Sequence, residues 1–388
     1  MSAAAVRTRP KIWIVVFTGN SGLTHYSYCL ARGLHEEGAD VTLVTNRNYD
    51  MGLMEHGFPV RKVFRRTRRY PLDLIRFWLE VRLRRPDILH FQSFLKFPAV
   101  ETMLLKSERG MGTGLVLTAH DWLPHHPRPW HRWLFRRFYR QFDRIIVHTP
   151  SGRDFLGHEL GVDARRVDVI PHGEYGLFRL DPGLDQAAAR ERLGLDGRFW
   201  FLFFGRIDPH KGVDTAIRAL ARMPSASPDD GSEAGPLPGL MIAGDPGPAG
   251  AGEYRRLAAG LGVADRVRFF TGHIPVREVQ DYFTASDAVL LPYRESSTSG
   301  IYHVAMGFEK PVVATAVGGL SDTVRPGVTG LLVPPGDEDA LAAAMGRLAS
   351  DEKLRKSLRE GWSAVRGEHS WRSIARRTMK VYERLRPH

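Results

Sequence analysis

Short apolar segments alternate with segments of helical periodicity along nearly the whole chain. In the first half such segments include Lys11–Phe17, Asp87–Gln92 and Leu115–Ala119, and a helix-like stretch follows each of them. Continuous apolar runs between helices are typical of strands buried on both faces of a parallel sheet. The pattern restarts at Trp200–Phe204, and 388 residues are too many for one hydrophobic core. We therefore predict an α/β protein with two Rossmann-like, doubly wound domains.

The two series of strands also suggest the domain boundaries. We predict a first domain over residues 1–180, a second over residues 181–368, and a C-terminal segment over residues 369–388. Within that last segment, Trp371–Leu385 has the pattern of a basic amphipathic helix.

The net charge of +12 is concentrated in the first half of the chain. Residues 1–180 hold 28 Lys and Arg against 17 Asp and Glu, whereas residues 181–388 hold 27 against 26. Two basic clusters, 61–69 and 130–140, stand out, and the second interleaves Arg with aromatic residues at helical spacing. That pattern suits an interfacial helix on an anionic membrane surface, although a solvated Arg-rich face explains it equally well. No nucleic-acid motif accompanies the basic residues, so nucleic acid is not an expected partner.

Cysteine usage and hydropathy indicate the compartment. The single Cys29 excludes an internal disulfide, and no apolar run approaches the roughly 18 residues of a membrane span. The first residues lack the apolar stretch of a signal peptide. We expect a cytoplasmic protein, with the basic clusters as the basis for peripheral association with the inner face of a membrane.

Two short stretches carry the chemistry of the chain. Arg206 and Lys211 follow the apolar strand Trp200–Phe204, and Ser299-Gly300-Ile301 opens a later helix. Two cations facing a helix N-terminus make a site for a polyanion such as a diphosphate. A surface Arg, a helix-start Lys and an ordinary Ser cap are the alternatives, but a Lys in a first helical turn opposes the helix dipole unless an anion is bound.

Several motifs recur in the order of one enzyme family. They are Gly205-Arg206 with Lys211-Gly212, Ala243-Gly244, Phe270-Thr271-Gly272, Leu291-Pro292-Tyr293, Lys310-Pro311-Val312-Val313-Ala314-Thr315 and Gly318-Gly319-Leu320. In these motifs the chain resembles the retaining glycosyltransferases of the GT-B fold, family 4 type. The resemblance implies two domains facing a central cleft and a C-terminal helix that crosses back to the first domain. It also implies transfer of a sugar from a nucleoside diphosphate sugar to a glycan or lipid-linked acceptor.

The resemblance assigns roles to individual residues. It makes His120, Arg206 and Lys211 the catalytic residues. It gives contacts with the donor to Gly22, Gly272, His273, Ile274, Glu295, Ser299, Gly300 and Ile301. It gives contacts with the acceptor to Asn20, His25 and Asp121. A structural His120–Asp121 pair, a plain turn at Gly22 and a local cap at His25 are the alternatives.

The chain departs from the family at the paired glutamates. Val304 stands where the second Glu is expected, and Ser296 stands at the first position, with Glu295 one residue earlier. The chain therefore resembles a subset that has a Pro-Tyr-x-x-x-x-x-Ser-Gly form without the second Glu. A catalytically degenerate partner protein that binds a nucleotide or a membrane is an alternative function, and a phosphorylase or epimerase of the same fold is another.

We expect no metal and no other cofactor. Cations and helix N-termini can supply the positive charge, and the acidic run Asp337-Glu338-Asp339 precedes an Ala-Leu helix, which favours capping over metal binding. The family is thought to use same-face attack, which does without the two catalytic carboxylates that a glycosidase needs.

Overall fold

The chain forms two compact units. The computed structural model describes residues 9–65, 70–92, 98–123, 131–223, 236–247 and 250–385. One unit comprises Met1–Gly173 together with Glu368–His388, and the other comprises Glu174–Gly367. The boundary between the units lies at residues 173 and 174, before the predicted boundary at residue 180, because Tyr175 is bound to the second unit. The amide of Tyr175 donates to the carbonyl of His303 (3.0 Å).

The described part of the first unit contains a seven-stranded parallel sheet in the order β3-β2-β1-β4-β5-β6-β7. Its strands are β1 (Lys11–Val15), β2 (Asp40–Asn46), β3 (Val60–Phe64), β4 (Ile88–Phe91), β5 (Gly114–Thr118), β6 (Arg144–Val147) and β7 (Val167–Val169). The sequence pattern did not indicate β3 and β7, which form the two edges of this sheet.

Helices cover both faces of this sheet. They are α1 (Gly22–Glu36), α2 (Tyr70–Arg84), α3 (Pro98–Arg109), α4 (His131–Tyr139), α5 (Pro150–Leu160) and, from the end of the chain, α14 (Trp371–Tyr382). Successive residues of a strand point to opposite faces, and β4 shows which helices lie where. Leu89 and Phe91 share a buried cluster with Phe77 of α2 and Phe138 of α4. His90 between them bonds Tyr382 of α14 (2.6 Å) on the other face.

The second unit repeats the architecture. Its described residues form a six-stranded parallel sheet in the order β10-β9-β8-β11-β12-β13. The strands are β8 (Trp200–Phe204), β9 (Gly239–Gly244), β10 (Val267–Thr271), β11 (Ala288–Leu291), β12 (Val312–Thr315) and β13 (Gly330–Val333). The helices are α6 (Gln186–Arg192), α7 (Val213–Arg222), α8 (Gly252–Gly260), α9 (Val279–Ala285), α10 (Gly300–Gly307), α11 (Gly318–Thr323), α12 (Glu338–Ser350) and α13 (Glu352–Arg366). Two doubly wound α/β units confirm the predicted fold class.

Several helices begin at side-chain caps that the sequence supplies. Asp185, Asp337 and Asp351 each accept a hydrogen bond from the amide three residues further on, at the starts of α6, α12 and α13. Asp337 is therefore a helix cap, as we inferred for the acidic run at residues 337–339. None of the described helices is long and apolar enough to cross a bilayer.

The C-terminal helix is part of the first unit. Arg372 and Arg376 of α14 both bind Glu37 at the end of α1 (2.8 and 2.7 Å). The ring of Trp371 lies on Gly173, where a Cβ atom would come within 2.5 Å of it. The chain thus returns to the first unit at the point where it left it.

Two mid-helix glycines test the packing of the second unit. A Cβ on Gly361 of α13 would lie 1.8 Å from the carbonyl oxygen of Val328, whereas a Cβ on Gly346 of α12 meets nothing within 4 Å. We expect Gly361→Ala to lower the free energy of unfolding by about 2 kcal/mol, because backbone must move. Gly346→Ala should raise it by up to about 1 kcal/mol through helix propensity. Thermal unfolding followed by circular dichroism measures both, and equal melting temperatures would contradict the close approach.

Candidate functional site

The strand order of the second unit reverses beside β8, which has β9 on one side and β11 on the other. In open parallel sheets a ligand crevice lies at such a reversal, beyond the carboxyl ends of the strands. Residues 205–212 follow β8 and residues 292–300 follow β11. The two stretches singled out in the sequence are therefore brought to one place.

The backbones of these two loops pack closely against each other. The chain after β8 makes a short 3-10 turn, Pro209–Lys211, and Gly212 follows with φ +68°. A Cβ on Gly212 would lie 1.9 Å from the carbonyl oxygen of Pro292. The amide of Arg294 donates to the carbonyl of His210 (2.8 Å). Only glycine allows both this conformation and this approach.

Lys211 and Ser299 meet at Tyr293. The Nζ atom of Lys211 lies 3.7 Å from the centre of the Tyr293 ring, a cation–π contact. The Ser299 hydroxyl donates to the phenol oxygen of the same tyrosine (3.4 Å). Tyr293 is buried, so it holds the cation of one loop close to the helix start of the other.

Arg206 presents the second cation of the site to solvent. Its side chain is 70% exposed and pairs with Asp208 (3.0 Å). It precedes the turn that carries Lys211, so an anion at this edge of the sheet would meet both cations.

The start of α10 faces the same edge. Ser299 occupies the cap position, but its hydroxyl makes no capping bond. The first amides of a helix have no intrahelical acceptor, and those of Gly300 and Ile301 are the first of α10. The Ile301 side chain packs at Gly205, where a Cβ would lie 3.6 Å from its Cδ1. A helix N-terminus with positive partial charge is thus placed beside the end of β8.

The remaining predicted donor residues lie further out. Gly272, His273 and Ile274 follow the edge strand β10, two strands from β8, which is about 10 Å at ordinary strand spacing. Glu295 is exposed. Val304, at the position of the missing Glu, is buried in the unit.

In the first unit, the residues predicted for the acceptor side lie in three places: Asn20 in the loop between β1 and α1, His25 in the first turn of α1, and Asp121 after β5. The Asn48 amide donates to the side-chain oxygen of Asn20 (3.2 Å). His25 pairs with Asp50 (3.4 Å). A Cβ on Gly22 would meet nothing within 4 Å, so the start of α1 has open space around it.

His120 follows β5 and lies in a buried cluster of rings. Its Nδ1 atom is 3.1 Å from Nε2 of His148, and its Nε2 atom is 3.3 Å from Oε1 of Gln92. Its ring is edge-on to Tyr26 of α1, with centroids 4.5 Å apart. His172 also contacts Tyr26, at 4.9 Å.

Burial keeps these imidazoles neutral. Loss of hydration, with repulsion from the neighbouring histidines, holds the pKa of His120 well below its usual range. Burial lowers the pKa of His148 to about 4. Burial likewise lowers the pKa of His90, on the same face of the sheet, to about 3. The pKa of His172 is also well below its usual range for the same reason.

A hydrogen bond fixes which nitrogen of the His148 ring carries its proton. His148 Nδ1 lies 3.0 Å from the carbonyl oxygen of Ile170, which can only accept. The Nε2 atom of neutral His148 is then an acceptor, and it faces the Nδ1 atom of His120 (3.1 Å). The Nε2 atom of His120 faces the Oε1 atom of Gln92 (3.3 Å). His148 is therefore the residue that orients His120.

Sequence reasoning missed His148 and Tyr26. Residues His120, His148 and His172 come just after three neighbouring parallel strands, β5, β6 and β7. A histidine follows each of these three strands in the sequence. Because the carboxyl ends of parallel strands meet at one edge of the sheet, this pattern could have predicted the cluster.

Across the described ranges, no three His, Cys, Asp or Glu side chains are grouped as a metal site would require. Cys29 is buried as a free thiol.

Two family descriptions match this chain. Residues 20–173 match Glycosyltransferase Family 4, and residues 198–351 match Glycosyl transferases group 1. The two matches follow the two structural units. The chain belongs to the group 1 glycosyltransferases of the family 4 type.

Individual proteins agree with this assignment. The chain is 37% identical over 215 residues to the D-inositol 3-phosphate glycosyltransferase of Rhodococcus jostii, covering 54% of this chain and 45% of that protein. It thus spans about half the length of the curated relatives it matches.

Solved structures show the fold over nearly the whole chain. Sucrose-phosphate synthase of Thermosynechococcus elongatus matches with a TM-score of 0.75 and 22% identity, covering 97% of this chain and 99% of that one. The HepE protein of Anabaena, solved in complex with UDP-glucose, matches with a TM-score of 0.77 and 20% identity, covering 97% and 100%. The fold is GT-B.

The buried histidines predict a pH dependence of stability. Their folded pKa values lie below the unfolded value of about 6.5, so their contribution is complete at neutral pH and is lost as the pH falls towards 4. Each can add a slope of up to about 1.4 kcal/mol per pH unit. His148→Gln should flatten this slope in urea unfolding between pH 7.5 and 5. His158→Gln, at an exposed position of α5, should not change it. A wild-type stability that is constant over this range would contradict the neutral cluster.

Proposed function

We propose that this chain transfers a sugar from a nucleoside diphosphate sugar to a glycan or lipid-linked acceptor, with retention of configuration and without a metal ion. The observation that carries the proposal is the meeting of Lys211, Tyr293 and the start of α10 at the strand reversal of the second unit. A diphosphate fits this arrangement because it carries negative charge where two cations and a helix N-terminus are placed.

The proposed chemistry centres on the leaving phosphate. When the bond between the sugar anomeric carbon and the phosphate oxygen breaks, negative charge develops on the diphosphate. Arg206 and Lys211 would stabilise that charge more than the charge of the intact donor, which lowers the barrier. The acceptor hydroxyl would attack from the same face and pass its proton to the departing phosphate oxygen, so configuration is retained.

The first unit would contribute neutral hydrogen-bonding groups. His120 is held uncharged and oriented by His148, so we assign it to binding a donor hydroxyl or the reaction centre rather than to proton abstraction. Gly22 would approach the phosphates, and Asn20, His25 and Asp121 would contact the acceptor. Glu295 would bind the donor sugar, and Gly272, His273 and Ile274 the nucleoside. The HepE structure with UDP-glucose makes uridine nucleotides the first donors to test.

Donor binding tests the site in the second unit. We expect Arg206→Ala and Lys211→Ala each to raise the Kd for the preferred nucleoside diphosphate at least about tenfold, because each removes a charge-assisted contact. Arg218→Ala removes a half-buried arginine of α7 paired with Glu338 (3.7 Å) and serves as the control. Calorimetry across UDP, GDP, ADP and dTDP measures the Kd values.

The outcomes separate the alternative functions. Binding that is unchanged in both site variants would contradict the diphosphate site. Binding without transfer or donor hydrolysis for any sugar would favour a degenerate partner protein, which the buried Val304 motivates. Product of inverted configuration by NMR would contradict retention.

Metal removal tests the charge source. Because cationic side chains and α10 supply the positive charge, we expect turnover to be unchanged after treatment with EDTA. A loss of activity that Mg²⁺ or Mn²⁺ restores would contradict the proposal.

A further inference from the structure

The outward side of α2 is apolar and exposed. The helix buries Leu74, Phe77, Trp78 and Val81 against the sheet. Four other large apolar side chains, between 56% and 83% exposed, run along its outer side: Leu72, Ile75, Leu79 and Leu83. Their spacing of three or four residues makes a continuous stripe. A surface helix that packs on one side normally presents polar residues on the other.

The neighbouring helices extend this apolar surface. Met103 of α3, Met111 just beyond α3, and Trp133 of α4 are each more than half exposed. Tyr70 of α2 bonds Glu101 of α3 (2.8 Å), which holds these two helices side by side. We call the outer surface of α2, α3 and α4, with Met111, the α2–α4 face.

This concentration is specific to one side of one unit. Of the nine large apolar side chains that the described residues expose, seven lie on the α2–α4 face. The other two, Leu180 and Leu261, are single residues of the second unit. Scattered apolar residues are normal on a protein surface, whereas a concentrated group marks an interaction site.

The exposed charges of the same three helices are all positive. They are Arg76, Arg82, Arg84, Lys106, Arg109, Arg132, Arg136 and Arg137. The four carboxylates of these helices are turned inward: Asp73, Glu101 and Glu108 are buried, and Glu80 is half-buried. Four of the bases form ion pairs with carboxylates that are less exposed than they are: Arg76 with Glu80, Arg82 with Glu108, Arg109 with Asp143 and Arg132 with Glu159.

The structure also shows which predicted basic residues contribute. Arg61 and Arg65 of the first cluster pair with Glu80 and with Asp73 (2.6 Å for the latter), and Arg66, Arg68 and Arg69 lie outside the described residues. In the second cluster, where Trp130 lies outside them too, Arg137 stacks on the exposed Trp133 at 4.1 Å. The apolar stripe of α2 was not predicted from the sequence.

We propose that the α2–α4 face docks on the surface of an anionic lipid bilayer, with α2 lying along the interface. The apolar stripe would enter the boundary between head groups and acyl chains, while the surrounding Arg and Lys side chains bind lipid phosphates. A surface of one sign around an apolar stripe complements a continuous anionic sheet. Docking on the membrane would bring the enzyme to a lipid-linked acceptor, so this inference rests on the proposed function. Vesicle binding is measured without turnover, so either proposal can fail alone.

The first test removes the apolar stripe. The full chain is sedimented with vesicles of phosphatidylcholine, alone or with about 30% phosphatidylglycerol. We expect binding to the anionic vesicles only, and a loss of at least about tenfold in Leu72→Gln/Leu79→Gln. The control Leu180→Gln/Leu261→Gln makes the same changes in the second unit and should bind as the wild type does.

The second test reverses charge. Arg84→Glu/Lys106→Glu changes two exposed cations of the α2–α4 face, and we expect weak binding at about 0.05 M salt. Arg377→Glu/Lys380→Glu makes the same change on α14, on the opposite face of the sheet, and should retain binding. Wild-type binding should fall at about 0.5 M salt. Unchanged melting temperatures and donor hydrolysis in solution establish that the variants are folded.

Three outcomes would overturn the proposal. Equal binding to neutral and anionic vesicles would remove the charge argument. Equal loss in the control variants would show that the face is not the site. A dimer that light scattering detects without lipid, and that Leu72→Gln/Leu79→Gln converts to a monomer, would make the face an interface between two copies of the chain.

Discussion

Parallel strand pairing is the constraint on which the rest of each unit depends. A parallel sheet needs a crossover after every strand, so helices cover both faces and all strands end at the same edge. Polar residues from distant parts of the sequence are thereby brought together at that edge: Lys211 with Ser299 in the second unit, and His120 with His148 in the first. The same constraint leaves the outer sides of the helices as the remaining surface, which is where α2 differs from an ordinary helix.

The interior strands were predictable because they are buried on both faces, and a continuous apolar run indicates such burial. The edge strands β3 and β7 were missed for the converse reason. An edge strand is covered less completely, so it tolerates the Arg61-Lys62 pair in β3 and the aspartate in the short β7. A run of apolar residues indicates a strand that is buried on both faces. A strand at the edge of a sheet does not need such a run.

Some residues of the candidate site were likewise predictable from the sequence, and others were not. Arg206, Lys211, Ser299 and Gly300 could be identified because each stands next to a strand end or helix start that the local pattern indicates. Tyr293 and His148 could not be, because their roles depend on which strands become neighbours. Gly212 illustrates the difference: its need for glycine comes from Pro292, 80 residues away, which reaches it only because β11 pairs beside β8.

Histidines and arginines of the first unit differ in their charge. Its histidines are buried without charge, whereas its arginines are kept charged at the surface. Burying Asp73, Glu101 and Glu108 costs hydration that arginine or tyrosine partners must replace, as Arg65, Tyr70 and Arg82 do. Arg76 and Arg82, two of the exposed bases of α2, pair with Glu80 and Glu108, whose own side chains are turned inward. Stability alone does not favour this arrangement, since it leaves like charges on one face to repel one another. The arrangement becomes favourable when an anionic surface, rather than the chain itself, supplies the neutralising charge.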